Sequence, residues 1–231
     1  MSYKLTKVQE HFWAINEDFV RFFLFEGTTR ALLVDTGLGS GDLLSVCAGL
    51  TGKPLFVVNT HSDGDHAGGN RQFKDVYMHP AEFDHYYRNS RENTLPKPVW
   101  DGDIVNIGTF KFEVIITPGH TPGSIALFEW EKRFVLCGDT VALSPVFMYG
   151  DGRSLPALAA SLEKLDTMKE RIDTIYAFHS DMVLSPDILT EFKCCTIRTL
   201  AGEIAGVRPD PNPFMSESAL LYKFGRAGLL C

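Results

Sequence analysis

Apolar residues in this chain fall mainly in short runs rich in Val, Ile, Leu and Phe, broken by Gly, Asp, Thr and Pro. Such runs predict β-strands rather than helices. Strands are expected at residues 5–8, 12–15, 20–26, 30–35, 55–59, 76–79, 104–107, 111–117, 124–130, 134–137 and 174–178, with a last one at 219–224. Two of them contain unbroken apolar stretches, Phe22-Phe23-Leu24-Phe25 and Ala31-Leu32-Leu33-Val34, the mark of strands buried on both faces. Gly27-Thr28-Thr29 makes the turn between them. The pattern turns helical at 42–50, at 80–89 (opened by Pro80), at 151–169 and at 186–204. In the third of these, Leu155, Leu158, Leu162 and Leu165 form one stripe. Residues 91–100 hold Pro96 and Pro98 without any period and read as a connecting loop. Strands then helices, twice over and with no low-complexity linker, predict one α/β domain across residues 1–231. The expected architecture is a four-layer αββα sandwich, two sheets face to face with helices outside.

The segment after strand 55–59 carries the chemistry. Thr60-His61-Ser62-Asp63-Gly64-Asp65-His66-Ala67-Gly68-Gly69-Asn70 sets two histidines and two aspartates at a strand end, framed by glycines that allow a tight turn. An isolated His near an Asp is more often a surface-loop feature; four at alternating and adjacent positions point to metal binding. Three further segments share the form of an apolar strand followed by a ligand-type residue. His120 sits in the loop Thr117-Pro118-Gly119-His120-Thr121-Pro122-Gly123, Asp139 follows Phe134-Val135-Leu136-Cys137-Gly138, and His179 follows Thr174-Ile175-Tyr176-Ala177-Phe178. Singly each reads as a loop cap. Together they bring seven ligand-type residues to one end of a sheet.

The run from His61 to His66, followed in order by His120, Asp139 and His179, resembles the metallo-β-lactamase superfamily, whose loop usually reads His-x-His-x-Asp-His. The likeness extends from about Phe22 to Ser180 and takes in Val34-Asp35-Thr36-Gly37 and Pro118-Gly119-His120-Thr121-Pro122-Gly123. The resemblance implies the four-layer fold and a centre of two divalent metal ions, zinc first, with iron or manganese as alternatives. By that resemblance His61, Asp63 and His120 hold one ion, Asp65, His66 and His179 hold the other, and Asp139 bridges them. Asp35 would steady the loop by hydrogen bonds; read alone, it is a turn-forming Asp before Thr-Gly. The implied chemistry is hydrolysis by a metal-bridging hydroxide, with Asp65 orienting the nucleophile and carrying a proton.

Asp63 departs from the pattern, standing where the family usually has a second histidine. Asp63, Asp65 and Asp139 then set three negative charges against the four positive charges of two divalent ions, and a bridging hydroxide brings the sum to zero. A neutral histidine would leave it positive. The charge sum predicts a less acidic bridging water, a weaker pull on anionic substrates and greater tolerance for harder ions. On this argument Asp63→His lowers the kinetic pKa, unless a nearby group neutralises the difference.

Bulk properties narrow the substrate. The chain has 231 residues and a formal net charge of −7, without a basic stripe to meet nucleic-acid phosphates. No apolar run approaches a membrane span, and the N-terminus Met1-Ser2-Tyr3-Lys4 carries no signal core. Five cysteines without paired spacing read as reduced thiols, and Cys194-Cys195 as helix packing; the expected location is the cytoplasm. No Gly-x-Ser-x-Gly elbow is present, and Cys137 is expected to be buried, which leaves no nucleophilic Ser or Cys. The expected substrate is a small thioester, ester, lactone or amide, with no nucleic-acid or membrane partner and the oligomeric state left open. By the resemblance, glyoxalase-II-like thioesterases of the superfamily carry a longer helical C-terminal region with basic residues for glutathione, and the shorter region after His179 disfavours a glutathione thioester. Phe147, Met148 and Tyr149 either line an apolar pocket or pack beneath a loop. His11, His79 and His85 are read as ordinary structural or surface residues. Two other functions stay open: an iron-dependent, dioxygenase-like redox enzyme of the same superfamily, and a non-catalytic metal-binding module.

Overall fold

Each apolar strand divides its side chains between two cores, and this division builds the layers. The computed structural model describes residues 3–89, 95–210 and 218–231. Met1, Ser2 and residues 91–94 of the expected loop lie outside them. The first sheet orders β1 (Lys4–Gln9), β2 (Phe12–Glu17), β3 (Val20–Glu26), β4 (Ala31–Val34), β5 (Leu55–Val58), β6 (Val76–Met78) and β7 (Lys97–Pro98) side by side. Strands β1 to β4 pair antiparallel, and β4 to β7 pair parallel. The second sheet contains β8 (Ile104–Asn106), β9 (Lys111–Ile116), β10 (Ile125–Glu129), β11 (Phe134–Leu136), β13 (Thr174–Tyr176) and β14 (Val183–Leu184). A third, small sheet joins β12 (Val146–Phe147) to the hairpin β15 (Leu221–Phe224) and β16 (Ala227–Leu230).

In β3, Phe23 and Phe25 point into the core between the sheets, while Phe22 and Leu24 point to the outer core of the first sheet. In β10, Ile125 and Leu127 enter the inter-sheet core, while Ala126 and Phe128 face the outer core of the second sheet. Two-sided burial is why these strands read as continuous apolar runs. The first outer core is closed by α1 (Leu43–Leu50), the turn α2 (Gly64–Ala67) and α3 (Phe83–Asn89) through Leu43, Cys47, Ala67 and Tyr86. The second is closed by α4 (Leu155–Asp166) and α5 (Ile188–Leu200) through Leu158, Leu162, Leu165, Leu189 and Phe192. The four-layer expectation stands.

Several boundaries moved for local reasons. The helix expected from 151 begins at Leu155, because Ser154 is its N-cap and accepts from Ala157 N at 3.3 Å. The expected 186–204 helix is Ile188–Leu200, and Pro80–Glu82 is a 3-10 turn ahead of α3. Lys97–Pro98 falls inside the expected loop but pairs parallel with β6. Strands β12, β14 and β16 are too short or too Gly-rich to be recognised from an apolar run.

Candidate metal centre

Strands β4 and β5 run parallel, and β9 and β11 flank the antiparallel β10, so β9, β11 and β13 also share a direction. An antiparallel bridge between Val20 of β3 and His179 after β13 aligns the two sets, so the loops after these five strands open at one end of the sandwich. Asp35 follows β4, His61 follows β5, His120 follows β9, Asp139 follows β11 and His179 follows β13. All seven ligand-type residues singled out in the sequence meet there. His61, Asp63 and His120 form one cluster and Asp65, His66 and His179 another; His61, His66 and Asp139 form a third group between them.

Distances define the roles. Asp63 Oδ2 lies 3.1 Å from His120 Nε2 and 3.6 Å from His61 Nε2. Asp65 Oδ2 lies 3.4 Å from His179 Nε2 and 3.7 Å from His66 Nε2. Asp139 faces both clusters: Oδ1 is 3.1 Å from His66 Nε2 and 3.2 Å from His179 Nε2, and Oδ2 is 3.6 Å from His120 Nε2.

The far nitrogens of the histidine rings decide what the near ones offer. His66 Nδ1 donates to Asp35 Oδ2 (2.7 Å), His120 Nδ1 to the Phe147 carbonyl (2.9 Å) and His179 Nδ1 to the Phe19 carbonyl (3.0 Å). His61 Nδ1 donates to Thr60 Oγ1 (3.1 Å), whose own proton goes to Asp35 Oδ2 (2.7 Å). Each ring proton is thereby held away from the centre, and each Nε2 presents a lone pair to it. Lone pairs and carboxylate oxygens converging at these distances repel one another unless a cation lies among them. His61 Nε2 and Asp139 Oδ1 are buried without a hydrogen-bond partner, and His66 and His179 face each other Nε2 to Nε2 at 3.2 Å. The donor set fits two divalent ions with nitrogen and oxygen ligands.

Protons substitute for cations in the metal-free protein. Burial lowers the His66 pKa, but Asp139, Asp65 and Asp35 outweigh it and raise it well above the ordinary 6.5. His179 is raised above the same value, Asp139 overcoming its burial. His120 is lowered, because burial outweighs its carboxylate neighbours. Burial opposes ionisation of Asp63 and Asp139, yet the histidines beside each hold both well below the ordinary carboxylate value. Metal and protons compete for His66 and His179, so affinity falls as pH falls. With both pKa values raised, the loss begins above pH 6.5. A chelator-competition titration at stepped pH should show about a tenfold weakening for each displaced proton per pH unit; an affinity flat from pH 8 to about 6 would contradict the raised values.

Two buried carboxylates beyond the predicted set hold the loops. Glu82 accepts from Ser62 N (2.9 Å) and Ser62 Oγ (2.6 Å) through Oε2, and from Gly123 N (2.7 Å) through Oε1. It ties the His61 loop to the His120 loop. Burial raises its pKa, but Ser62, His61, Thr121 and Gly123 bring it below the ordinary value. Glu82→Ala strands two buried amides, and a fall of about 2–4 kcal/mol is expected in urea unfolding. Glu17 likewise accepts from Leu38 N (2.7 Å) and Ser40 N (2.8 Å), fixing the glycine turn after β4. Neither residue carried a signal in the sequence. His85 Nδ1 lies 2.8 Å from Ser62 Oγ, so this histidine braces the ligand loop, whereas His11 pairs with Glu26 and His79 caps the 3-10 turn.

Gly119 has φ +147, and a Cβ there would lie 2.5 Å from Leu158 Cα. The His120 loop can approach α4 this closely only through glycine. A cavity of about 1010 Å³ opens over the centre, with Asp63, Asp65, Asp139, His120 and His179 on its floor. Phe19, Leu38, Val146, Phe147 and Tyr149 line its walls. The pocket and packing readings of the 147–149 segment divide by residue: Phe147 and Tyr149 line the cavity and Met148 packs in the core. Cys137 is buried and its thiol is pushed up to about 12, which removes it as a nucleophile.

The family model of the metallo-beta-lactamase superfamily matches residues 15–179. The chain belongs to this superfamily. Its clustered histidines and aspartates make it a binuclear metal-dependent hydrolase. It is similar to the acyl-coenzyme A thioesterase MBLAC2 of Gallus gallus, with 24% identity over 84% of this chain and 88% of that protein. The Bos taurus protein of the same name is 29% identical over 58% of this chain and 62% of its own length. Among solved structures, a metallo-beta-lactamase from Pontibacter korlensis superposes with a TM-score of 0.74 at 18% identity, covering 85% of this chain and 99% of that one. TTHA1623 in a di-iron-bound form gives 0.63 at 24% identity, covering 74% and 92%. Both structures share the fold of this chain. No helix among the described residues is long and apolar enough to cross a membrane.

Proposed function

We propose that this superfamily member hydrolyses small acyl thioesters, using two zinc ions held by His61, Asp63 and His120 and by Asp65, His66 and His179, with Asp139 between them. The observation that carries the reading is a carboxylate- and histidine-rich floor beneath walls of Phe19, Leu38, Val146, Phe147 and Tyr149. Such a cavity accepts an apolar acyl chain with its carbonyl carbon directed at the floor. The likeness to acyl-coenzyme A thioesterases, over most of both chains in one case, points the same way.

When bound, the ions supply Lewis acidity and bring the pKa of a coordinated water to about 7. Asp65 orients the attacking water and takes its proton; Asp139 holds the two ligand clusters in register. Phe19 and Phe147 serve twice, since their side chains line the cavity and their carbonyls fix His179 and His120. Water adds to the thioester carbonyl, the C–S bond breaks, and a carboxylate and a free thiol leave.

A second reading concerns the metal alone. The donors are nitrogen and oxygen with three carboxylates and no thiolate, a set that iron also accepts, and a structural neighbour is described as di-iron-bound. We place the protein in the cytoplasm as a single domain: all five cysteines are free thiols, and the C-terminal hairpin packs into the same core as α4 and α5.

The test is thiol release from acyl-coenzyme A and acyl-N-acetylcysteamine substrates of graded chain length, beside matched oxygen esters and lactones, with metal content read by elemental mass spectrometry. Chelator-sensitive thiol release restored by zinc supports the proposal. Lactone or ester turnover with no thiol release overturns the substrate class, and restoration by iron alone overturns zinc.

A further inference from the structure

Asp63 replaces a histidine that would be neutral, and the structure supplies a partner for its charge from ninety residues away. Arg153 Nη2 donates to Asp63 Oδ2 at 2.5 Å. The pair is mostly shielded, with side-chain exposures of 13% for Arg153 and 19% for Asp63. The oxygen that Arg153 holds is the one facing His120 and His61. Nor is the arginine on a loose strand. Gly150 and Gly152 have φ of +99 and +80 on either side of Asp151, a path that turns the chain back toward the centre. The next residue, Ser154, donates its backbone N–H to the Gly119 carbonyl at 2.8 Å and caps α4. Arg153 is thus anchored next to the residue that precedes His120.

We propose that Arg153 and Asp63 act together as one metal donor of zero net charge, standing in for the histidine usual at this position. The charge sum over three aspartates, two divalent ions and a bridging hydroxide was zero; the guanidinium restores the excess of one positive charge that a neutral histidine would leave. The weaker pull on anions and the less acidic water expected from Asp63 alone are therefore withdrawn. Arg153 is a positioning residue: its contact with the ligand set is through the Asp63 carboxylate, whose Oδ2 it holds toward the histidines, and it also lines the cavity wall beside them. A lone Asp63→His leaves a buried guanidinium beside a dication with no counter-charge, while the matching loss of Arg153 removes that conflict.

The inference rests on the binuclear reading and is tested by zinc retention as well as rate. Zinc affinity is measured by chelator competition for the wild type, Asp63→His, Arg153→Gln and the double variant, with circular dichroism to confirm folding. Asp63→His should weaken retention of the more loosely held zinc about a hundredfold, and adding Arg153→Gln should recover about tenfold or more. Additive effects would overturn the pairing while leaving the binuclear reading intact. A folded wild type that retains no metal overturns that reading and this inference with it. A second comparison leaves the ligands untouched. Arg153→Lys keeps the charge and should hold the wild-type pH–rate profile, whereas Arg153→Gln should shift its acid limb upward by about one unit. Equal behaviour of the two variants would reduce Arg153 to packing and refute the charge role.

Discussion

Asp139→Asn is expected to lower kcat/KM for thioester hydrolysis by about a thousandfold or more and to leave less than two metal ions per chain. The asparagine keeps the shape, so the fold should survive. What it loses is specific. Asp139 directs Oδ1 to His66 and His179 and Oδ2 to His120, and is the side chain that faces both clusters. An amide offers one oxygen and an N–H₂, so one cluster meets a donor where it needs an acceptor. Steady-state kinetics with parallel elemental analysis checks both effects. Full metal content with lost activity would move Asp139 from metal binding to chemistry, and unchanged activity would remove it from the centre.

Asp35→Asn should produce the next largest loss, by a different route. Asp35 Oδ1 accepts from Thr60 N at 2.7 Å, and Oδ2 accepts from Thr60 Oγ1 and His66 Nδ1, each at 2.7 Å. The backbone N–H cannot turn away, so the amide oxygen stays with it and the N–H₂ faces His66. The Thr60 hydroxyl can rotate to accept. His66 can only give up its Nδ1 proton and take one on Nε2, which aims an N–H at the second cluster. Metal affinity there should fall about 10- to 100-fold. In the chelated variant, at a pH above the raised His66 titration, the ¹⁵N shifts of the His66 ring would report the changed tautomer. An unchanged tautomer together with unchanged affinity would show that Asp35 supports the loop without setting the ring. Asp35 also adopts φ +66 in a buried position, a left-handed conformation that Asp and Asn tolerate better than most residues. The variant therefore tests the charge with little added backbone strain.

The ligand-type residues could be recognised in the sequence because each follows an apolar strand, and a strand end fixes where the next side chains emerge. His61 stood out in a dense His/Asp run, and His120, Asp139 and His179 followed strand ends, each weak singly and telling only together; their assembly follows from the shared direction of β9, β11 and β13 and from the bridge of His179 to Val20 of the first sheet. Asp35 was marked by the superfamily resemblance; its position alone, after a buried strand and before Thr-Gly, read as a turn. Glu82, Glu17 and Arg153 were not legible. Glu82 lies in a helical turn, Glu17 at the last position of β2 and Arg153 in a loop, places where most charges face solvent, and the partner of each lies far along the chain. The carbonyls of Phe19 and Phe147 were equally hidden, because a backbone acceptor leaves no trace in residue identity. Short pairings such as β12 with β16 failed for another reason: a two-residue strand has no measurable period.

The centre draws His61, Asp63, Asp65 and His66 from the first sheet and His120, Asp139 and His179 from the second. A growing chain cannot offer a complete pair of sites until His179 has left the ribosome and β13 has docked beside β11. Loading with metal is therefore a late step of maturation. The three apolar cores contain none of the ligand residues, so a newly made molecule is expected to fold before it holds metal and to stay inert until it does.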